Sequence, residues 1–189
     1  MRIVAILSLL ILAGCAAVNP KYTIPRDRGY LSNNVFEINK SSDEVWTSLV
    51  EYVPRKFFSI KDSDKNAGVL TLSFGSSRPE KYVDCGEINV DESKNKKSFL
   101  DVAKTTGTVE LLGTVNLLVK SIDDGKTSVT VSTGYILNIK EGSSSTQTWD
   151  FNANGKQSRK MGELKITCRP TVYAENDIIA GINFITRGH

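Results

Sequence analysis

The sequence predicts an α+β domain in which a curved antiparallel sheet packs on an N-terminal helix and a short C-terminal helix. Two long runs rich in aliphatic and β-branched residues, 108–122 and 128–139, flank a turn and predict a long hairpin. Apolar residues at helical spacing follow a capping signal at Ser41, and a second helical pattern follows Pro170. The predicted order is therefore strand, helix, several antiparallel strands and a final helix.

The first helix is predicted directly after a short strand at 35–39. Ser41 and Glu44 have the S-x-x-E spacing of a capping box, which marks a helix start. The apolar positions that follow form one helical stripe: Val45, Trp46, Leu49, Val50 and Val53. Pro54 should end or kink the helix because it lacks a backbone N–H. We expect Trp46 in the core rather than at a ligand.

Short strands are predicted between this helix and the hairpin. The turn residues of 62–68 separate a strand that opens at Ile60 from its return. A later segment carries Cys85, and after a polar connection a further strand is expected to pair with it. The remaining predicted strands of this region are 69–74, 82–90 and 99–103.

The long hairpin turns at 123–126, where Asp-Asp-Gly-Lys supplies the turn chemistry. Its second strand places these residues on one face: Val129, Val131, Thr133, Tyr135, Leu137 and Ile139. Polar loops are predicted at 141–148 and 152–160, on either side of a brief strand at 149–151. A helix is predicted at 173–182.

The N-terminus carries the most specific motif. Ile3 to Ala13 is apolar except for Ser8, and these 11 positions are too few for a spanning helix of about 20 residues, so the segment reads as a secretory signal. It ends in Leu12-Ala13-Gly14-Cys15, which resembles the bacterial lipobox. The resemblance implies removal of 1–14, a diacylglycerol on the Cys15 thiol and an acyl chain such as palmitate on its amino group. The alternative is an ordinary signal peptide with an incidental cysteine.

The lipobox also implies a location. In enterobacterial sorting, Asp directly after the lipidated cysteine retains a lipoprotein at the inner membrane, and this chain has Ala16 there. We therefore expect an outer-membrane lipoprotein whose domain faces the periplasm. Residues 15–34 are predicted as the lipidated cysteine and a tether, and 35–189 as a single domain.

The other two cysteines form an even pair. Because the periplasm is oxidising, Cys85 and Cys168 are predicted to form a disulfide that closes a loop of roughly 80 residues. The alternative is two independent buried thiols. Two cysteines without a nearby histidine do not supply four metal ligands, so no metal and no cofactor is expected.

Histidine is the scarcest reactive residue, with one copy at His189, so Ser-His-Asp, Cys-His and multi-His sites are not expected. Carboxylate pairs occur at caps and turns, where acids bond the local backbone, and none is assigned a catalytic role. These pairs are Asp43/Glu44, Asp62/Asp64, Asp91/Glu92 and Asp123/Asp124. Loss of residues 1–14 lowers the formal charge from +3 to +2, which argues against nucleic-acid binding.

The pattern of 35–182 resembles the helix-grip architecture. A set of its residues looks like the start of a helix-grip domain in the C lipoprotein of the β-barrel assembly machinery: Val45-Trp46, Leu49, Phe57-Phe58-Ser59-Ile60, Asp62 and Gly68-Val69-Leu70. The segment 82–86, with a late Cys168 before a short helix, is also similar to small bacterial envelope lipoproteins.

Three function classes remain. The first is a non-enzymatic lipoprotein that acts as a binding or scaffold subunit of an envelope complex for secretion, barrel assembly or surface exclusion. Its partners would be the outer membrane, through the lipid, and an envelope protein, with loops 75–80, 141–148 and 152–160 as candidate contacts. The second is a carrier of an apolar ligand in a cavity lined by Trp46, Val50, Leu72, Phe74, Val131 and Tyr135. The third is an enzyme that uses carboxylates alone.

Overall fold

The structure is a computed structural model that describes residues 21–26, 33–89, 95–143 and 145–187. Strands make up 52% of it and helices 25%, which confirms the α+β class. Among the described helices, none combines the length and the apolar character that crossing a membrane requires. The predicted signal peptide, Cys15 and His189 lie outside the described residues.

The described residues contain three α-helices, with short 3-10 turns at Val53–Arg55 and Pro79–Lys81. The helices are α1 (Ser42–Tyr52), α2 (Phe99–Thr106) and α3 (Tyr173–Arg187). The strands are β1 (Tyr22–Thr23), β2 (Val35–Ile38), β3 (Ser59–Asp64), β4 (Val69–Ser76), β5 (Val83–Asp84), β6 (Glu87–Asn89), β7 (Lys96–Ser98), β8 (Gly107–Asp123), β9 (Lys126–Glu141), β10 (Gln147–Asn152), β11 (Gln157–Met161) and β12 (Leu164–Pro170).

The main sheet is antiparallel, with strand order β10-β9-β8-β4-β3 and with β2 paired to β9 beside β10. The predicted hairpin is confirmed: β8 and β9 pair from Gly107 opposite Glu141 to Asp123 opposite Lys126. Its turn is held by the Gly125 N–H, which donates a 3.0 Å hydrogen bond to Asp123 Oδ1. This hairpin is the framework on which the helices pack.

Two smaller antiparallel sheets, β1-β6-β7 and β11-β12-β5, meet at Gly86. The sequence predicted one strand over 82–90, but β5 and β6 belong to different sheets. Gly86 has φ of +77°, and a Cβ there would lie 2.2 Å from the carbonyl oxygen of Thr23. A left-handed residue in such close contact requires glycine, and it redirects the chain between the two sheets.

The first helix begins as predicted. Ser41 Oγ accepts a 3.3 Å hydrogen bond from the Glu44 N–H, and Glu44 Oε2 accepts one of 3.1 Å from the Ser41 N–H. Val45, Trp46, Leu49 and Val53 of the predicted stripe are buried, and Val50 is partly buried. Trp46 therefore lies in the core, as expected.

The structure corrects two predicted elements and extends a third. Residues 99–103, expected as a strand, begin α2, because Phe99, Leu100 and Ala103 are buried at the i, i+1, i+4 spacing of a helix. The loop predicted over 152–160 contains most of β11, which pairs with β12. The sequence of β11 is polar and lacks the alternation of apolar residues that predicts a strand. Helix α3 continues to Arg187, beyond the predicted end at 182.

The core fills the space between the inner face of the main sheet and helices α1 and α3. The residues that β9 was predicted to place on one face are all buried. Aromatic rings contact one another in this layer and at its rim, where Tyr173 is 43% exposed: Phe57, Phe58, Phe74, Tyr82, Tyr135, Phe151 and Tyr173. Phe74 packs on the bare backbone of Gly113, where a Cβ would lie 2.0 Å from its ring.

Candidate docking site around the disulfide

The predicted disulfide is present between Cys85 and Cys168. Cys85 follows β5 directly, and Cys168 lies in β12 on the side that faces the core. Both residues are buried, and the bond joins positions 83 residues apart. It therefore fixes the junction of the two small sheets to the C-terminal part of the chain.

Tyr22 occupies the gap beside this disulfide. Its hydroxyl lies 3.0 Å from the carbonyl oxygens of both Cys85 and Thr167, and it accepts a 3.0 Å hydrogen bond from the Thr167 N–H. Since β5 pairs with β12 only at Arg169 and Pro170, this hydroxyl takes the place of a strand partner at Thr167. Burial raises the pKa of Tyr22, which keeps the hydroxyl a neutral donor.

The N-terminal segment 21–26 is thereby held on the domain. Tyr22 pairs with Ile88 and Thr23 with Glu87, and the Arg26 carbonyl accepts a 3.2 Å hydrogen bond from Arg169 Nη1. The sequence predicted all of 15–34 as a tether, and the structure places this part of it in a sheet. A two-residue strand is too short to show periodicity, so nothing in the sequence pattern marks it.

The outward side of β11 and β12 carries a basic face, defined here as Lys160, Lys165 and Arg169. Lys160 and Lys165 lie directly opposite each other in the register of the two strands. Within the described residues, no carboxylate lies within ion-pair distance of either ammonium group. Beside them, the Ser158 and Thr167 hydroxyls are 2.8 Å apart and hydrogen-bonded to each other. This face can bind anions.

The outer side of the main sheet carries a second feature, the outer patch, defined as Leu112 and Ile136. The two residues are directly opposite in the β8–β9 register, and their exposed fractions are 54% and 40%. They adjoin Gly75 on β4, which pairs with Leu112, and Gly134 two residues before Ile136. The patch is therefore an apolar pair flanked by two glycines, which carry no side chains to cover it.

The inner face of α3 carries a buried carboxyl group, that of Glu175, which is not among the residues predicted from the sequence. The Tyr135 hydroxyl donates a 2.7 Å hydrogen bond to Glu175 Oε2, while Glu175 Oε1 and the nearby Thr133 Oγ1 are buried without a hydrogen-bond partner. Burial raises the pKa of the Glu175 carboxyl and favours its protonated form. Glu175 precedes Ile178 and Ile182 at i, i+3, i+7, and this spacing marks it as a residue of the buried face.

Four of the carboxylates considered for catalysis bond local backbone, and Asp43 instead pairs with Lys65 at 2.9 Å. Asp62 and Asp64 accept hydrogen bonds of 2.9 and 3.0 Å from the N–H groups of Ser63 and Ala67. Asp123 holds the hairpin turn, and Glu44 caps α1 together with Ser41. Asp91 and Glu92 lie outside the described residues. In the described part of the chain, no three His, Cys, Asp or Glu residues are grouped to hold a metal ion.

Comparison with known proteins gives no relative from which a role could be transferred. The chain matches no protein-family model, no curated protein and no solved structure.

Proposed function

We propose that this chain is a non-enzymatic lipoprotein, anchored in the outer membrane through Cys15, that serves as a binding or scaffold subunit of an envelope complex. Secretion, barrel assembly and surface exclusion are the systems in which such a subunit would act. The domain would face the periplasm, and the fold would be of the helix-grip type.

The disulfide supports the envelope location. Disulfides persist in oxidising compartments such as the periplasm and are rare in the bacterial cytosol. The bond between Cys85 and Cys168 agrees with export directed by the proposed secretory signal, which leaves these two cysteines as a pair once Cys15 is assigned to the lipid. The signal motif and the disulfide thus point to the same compartment from independent parts of the sequence.

The outer patch is the observation that carries the binding role. Single exposed apolar residues are ordinary, but Leu112 and Ile136 are exposed neighbours across two central strands, and the flanking outward positions carry Glu110, Thr114 and Asn138. Apolar groups with a polar surround are typical of protein–protein contacts. We therefore assign the protein partner to this side of the sheet rather than to the loops.

The carrier alternative receives less support from the packing. Of the residues proposed to line a cavity, Trp46, Leu72, Phe74, Val131 and Tyr135 are buried members of one core cluster. The Phe74 ring contacts Phe57, Phe58, Tyr82 and Tyr135 and lies against the backbone of Gly113. These groups fill the layer that a ligand would have to enter, so the observed packing favours a core role for them.

The anchor is tested by labelling cells with a palmitate analogue. We expect the wild-type protein to take up label and to float with outer-membrane fractions, and Cys15→Ser to take up none. In an enterobacterial host, Ala16→Asp should keep the label but move the protein to the inner membrane, which makes it the control for lipidation without sorting. Equal labelling of wild type and Cys15→Ser would contradict the anchor.

The partner surface is tested by a photo-crosslinking amino acid placed at Leu112 or Ile136 in intact cells. We expect a discrete crosslinked product, which the Asp substitution at the other position of the pair abolishes. Ile122, which is 50% exposed near the hairpin turn, is the matched control, and a crosslinker there should give no such product. The same product from Ile122, or none from the outer patch, would overturn the assignment.

A further inference from the structure

We infer that the basic face on β11 and β12 docks on the anionic phospholipid headgroups of the bilayer that carries the anchor. The domain would then lie against the membrane in one orientation instead of standing off on a flexible tether. The inference rests on the proposed lipidation of Cys15, and it adds a second membrane contact, made by the folded domain itself.

Only a short length of chain joins the proposed anchor at Cys15 to the domain. Tyr22 is fixed to the backbone of Thr167, and the seven steps from Cys15 to Tyr22 span at most about 25 Å when fully extended. A lipid on Cys15 would therefore hold the surroundings of Tyr22 close to the bilayer surface.

The charges of the basic face lie close to the point where Tyr22 is fixed. Lys165 and Arg169 lie on β12, two residues to either side of Thr167, which is about 7 Å along the strand. Lys160 faces Lys165 across the register with β11. The strand that binds Tyr22, β12, thus also carries two residues of the basic face. The short chain from Cys15 to Tyr22 would therefore hold these cations near the lipid headgroups.

The basic face is electrostatically unfavourable while it is exposed to solution. Like charges directly opposite in an antiparallel pair destabilise the sheet, and Lys160 and Lys165 have no carboxylate within ion-pair distance among the described residues. An anionic surface relieves this repulsion. Attraction extends over about 8 Å at physiological salt, so it acts only on a domain already held near the bilayer. The anchor supplies that proximity, and the second contact becomes intramolecular.

The experiment uses the full lipidated protein, reconstituted in two sets of vesicles. One set contains phosphatidylcholine and phosphatidylethanolamine only, and the other contains in addition about 30% phosphatidylglycerol, a typical anionic phospholipid. Brief acetylation of amines, read by mass spectrometry, reports the exposure of each lysine. Lys61 is the internal control. It lies on β3, the edge strand at the other end of the main sheet from β10, which contacts β11 and β12.

We expect acetylation of Lys160 and Lys165 to fall at least threefold on the anionic vesicles, with Lys61 unchanged, and high salt to restore it. In Lys165→Glu, Lys160 should lose most of this protection, whereas in the matched variant Lys61→Glu it should keep it. Equal acetylation of Lys160 on both vesicle sets would overturn the inference. So would protection that appears only in native envelopes and not on anionic vesicles, because it would identify an acidic macromolecule as the partner.

The same samples separate this inference from the anchor. A protein that floats with neither vesicle set would contradict lipidation itself. A protein that floats with both sets but leaves Lys160 equally reactive would be anchored without docking.

Discussion

The Tyr135 hydroxyl and the Glu175 carboxylate oxygen Oε2 lie 2.7 Å apart in the buried layer between β9 and α3. Burial raises the pKa of Glu175, so the folded state binds a proton that the unfolded state releases at lower pH. The stabilisation is fully present below the ordinary carboxyl pKa and is lost as the pH rises through the folded-state pKa. At pH values where Glu175 is ionised, its buried charge therefore lowers the free energy of unfolding.

Glu175→Gln should therefore stabilise the protein at pH 7 and above and flatten the dependence of unfolding free energy on pH. The amide keeps an acceptor for Tyr135 and carries no charge at any pH. Urea unfolding from pH 5 to 8 measures both effects, with Glu163→Gln on an exposed turn as the control. Parallel pH profiles of Glu175→Gln and wild type would contradict the prediction.

Tyr22→Phe should lower the unfolding free energy by about 1–3 kcal/mol, because the Thr167 N–H loses its acceptor in a part-buried site. The ring is retained, so the loss reports the hydroxyl. Tyr173→Phe is the matched control, since Tyr173 is an exposed tyrosine on α3. Chemical denaturation of both variants is the measurement, and equal, small losses would show that the Tyr22 hydroxyl does not hold the segment.

Gly113→Ala should cost about 1–3 kcal/mol, because its Cβ would overlap the Phe74 ring at 2.0 Å. Gly134→Ala is the matched control on the neighbouring strand, where a Cβ meets nothing within 4 Å. Thermal unfolding should place the melting temperature of the first variant several degrees below that of the second. A melting temperature equal to the control would mean that the layer around Phe74 has room to adjust.

Removal of the disulfide, as Cys85→Ala with Cys168→Ala, should lower the unfolding free energy by about 2–5 kcal/mol, since the bond closes a long loop. Reductant should destabilise the wild type by a similar amount and leave the double variant unaffected. The mobility of the wild type in non-reducing gels should also shift on reduction. Two thiols open to alkylation in the native, unreduced protein would contradict the bond.

Trp46→Ala should cost about 3–5 kcal/mol, because this large side chain is buried on the α1 stripe. Phe184→Ala, at a position that is 54% exposed on α3, should cost much less and serves as the control for loss of an aromatic ring. Equilibrium unfolding compares the two. Near-equal effects would place Trp46 at the surface.

The features that the sequence predicted well are those with a local signal. The Ser41–Glu44 capping box marks the start of α1, and alternation from Val129 to Ile139 marks the buried face of β9. The disulfide could be predicted because the expected periplasmic location favours disulfides, and because only two cysteines remain once Cys15 is assigned to the lipid. Each of these signals comes from residues that are close in sequence, or from a chemical property that can be judged without knowing the fold.

The features that were missed depend on partners far away in sequence. Helix α2 was read as a strand because three buried residues in eight fit either period over so short a run. The strand at Tyr22–Thr23 exists because Ile88 and Thr167 lie beside it, and a polar β11 exists because β12 needs a partner. The basic face could not be predicted, since Lys160 and Lys165 become neighbours only through the register of those strands.

The bond between Tyr22 and Thr167 joins residues 145 positions apart, which orders events during biosynthesis. At a synthesis rate of about 5–20 residues per second, Thr167 is made roughly 7–30 s after Tyr22. The entire β8–β9 hairpin emerges in that interval, so it can form before β11 and β12 are made to complete the sheet with β5. The segment around Tyr22 is thus the first described part of the chain to be made and among the last to reach its final contacts.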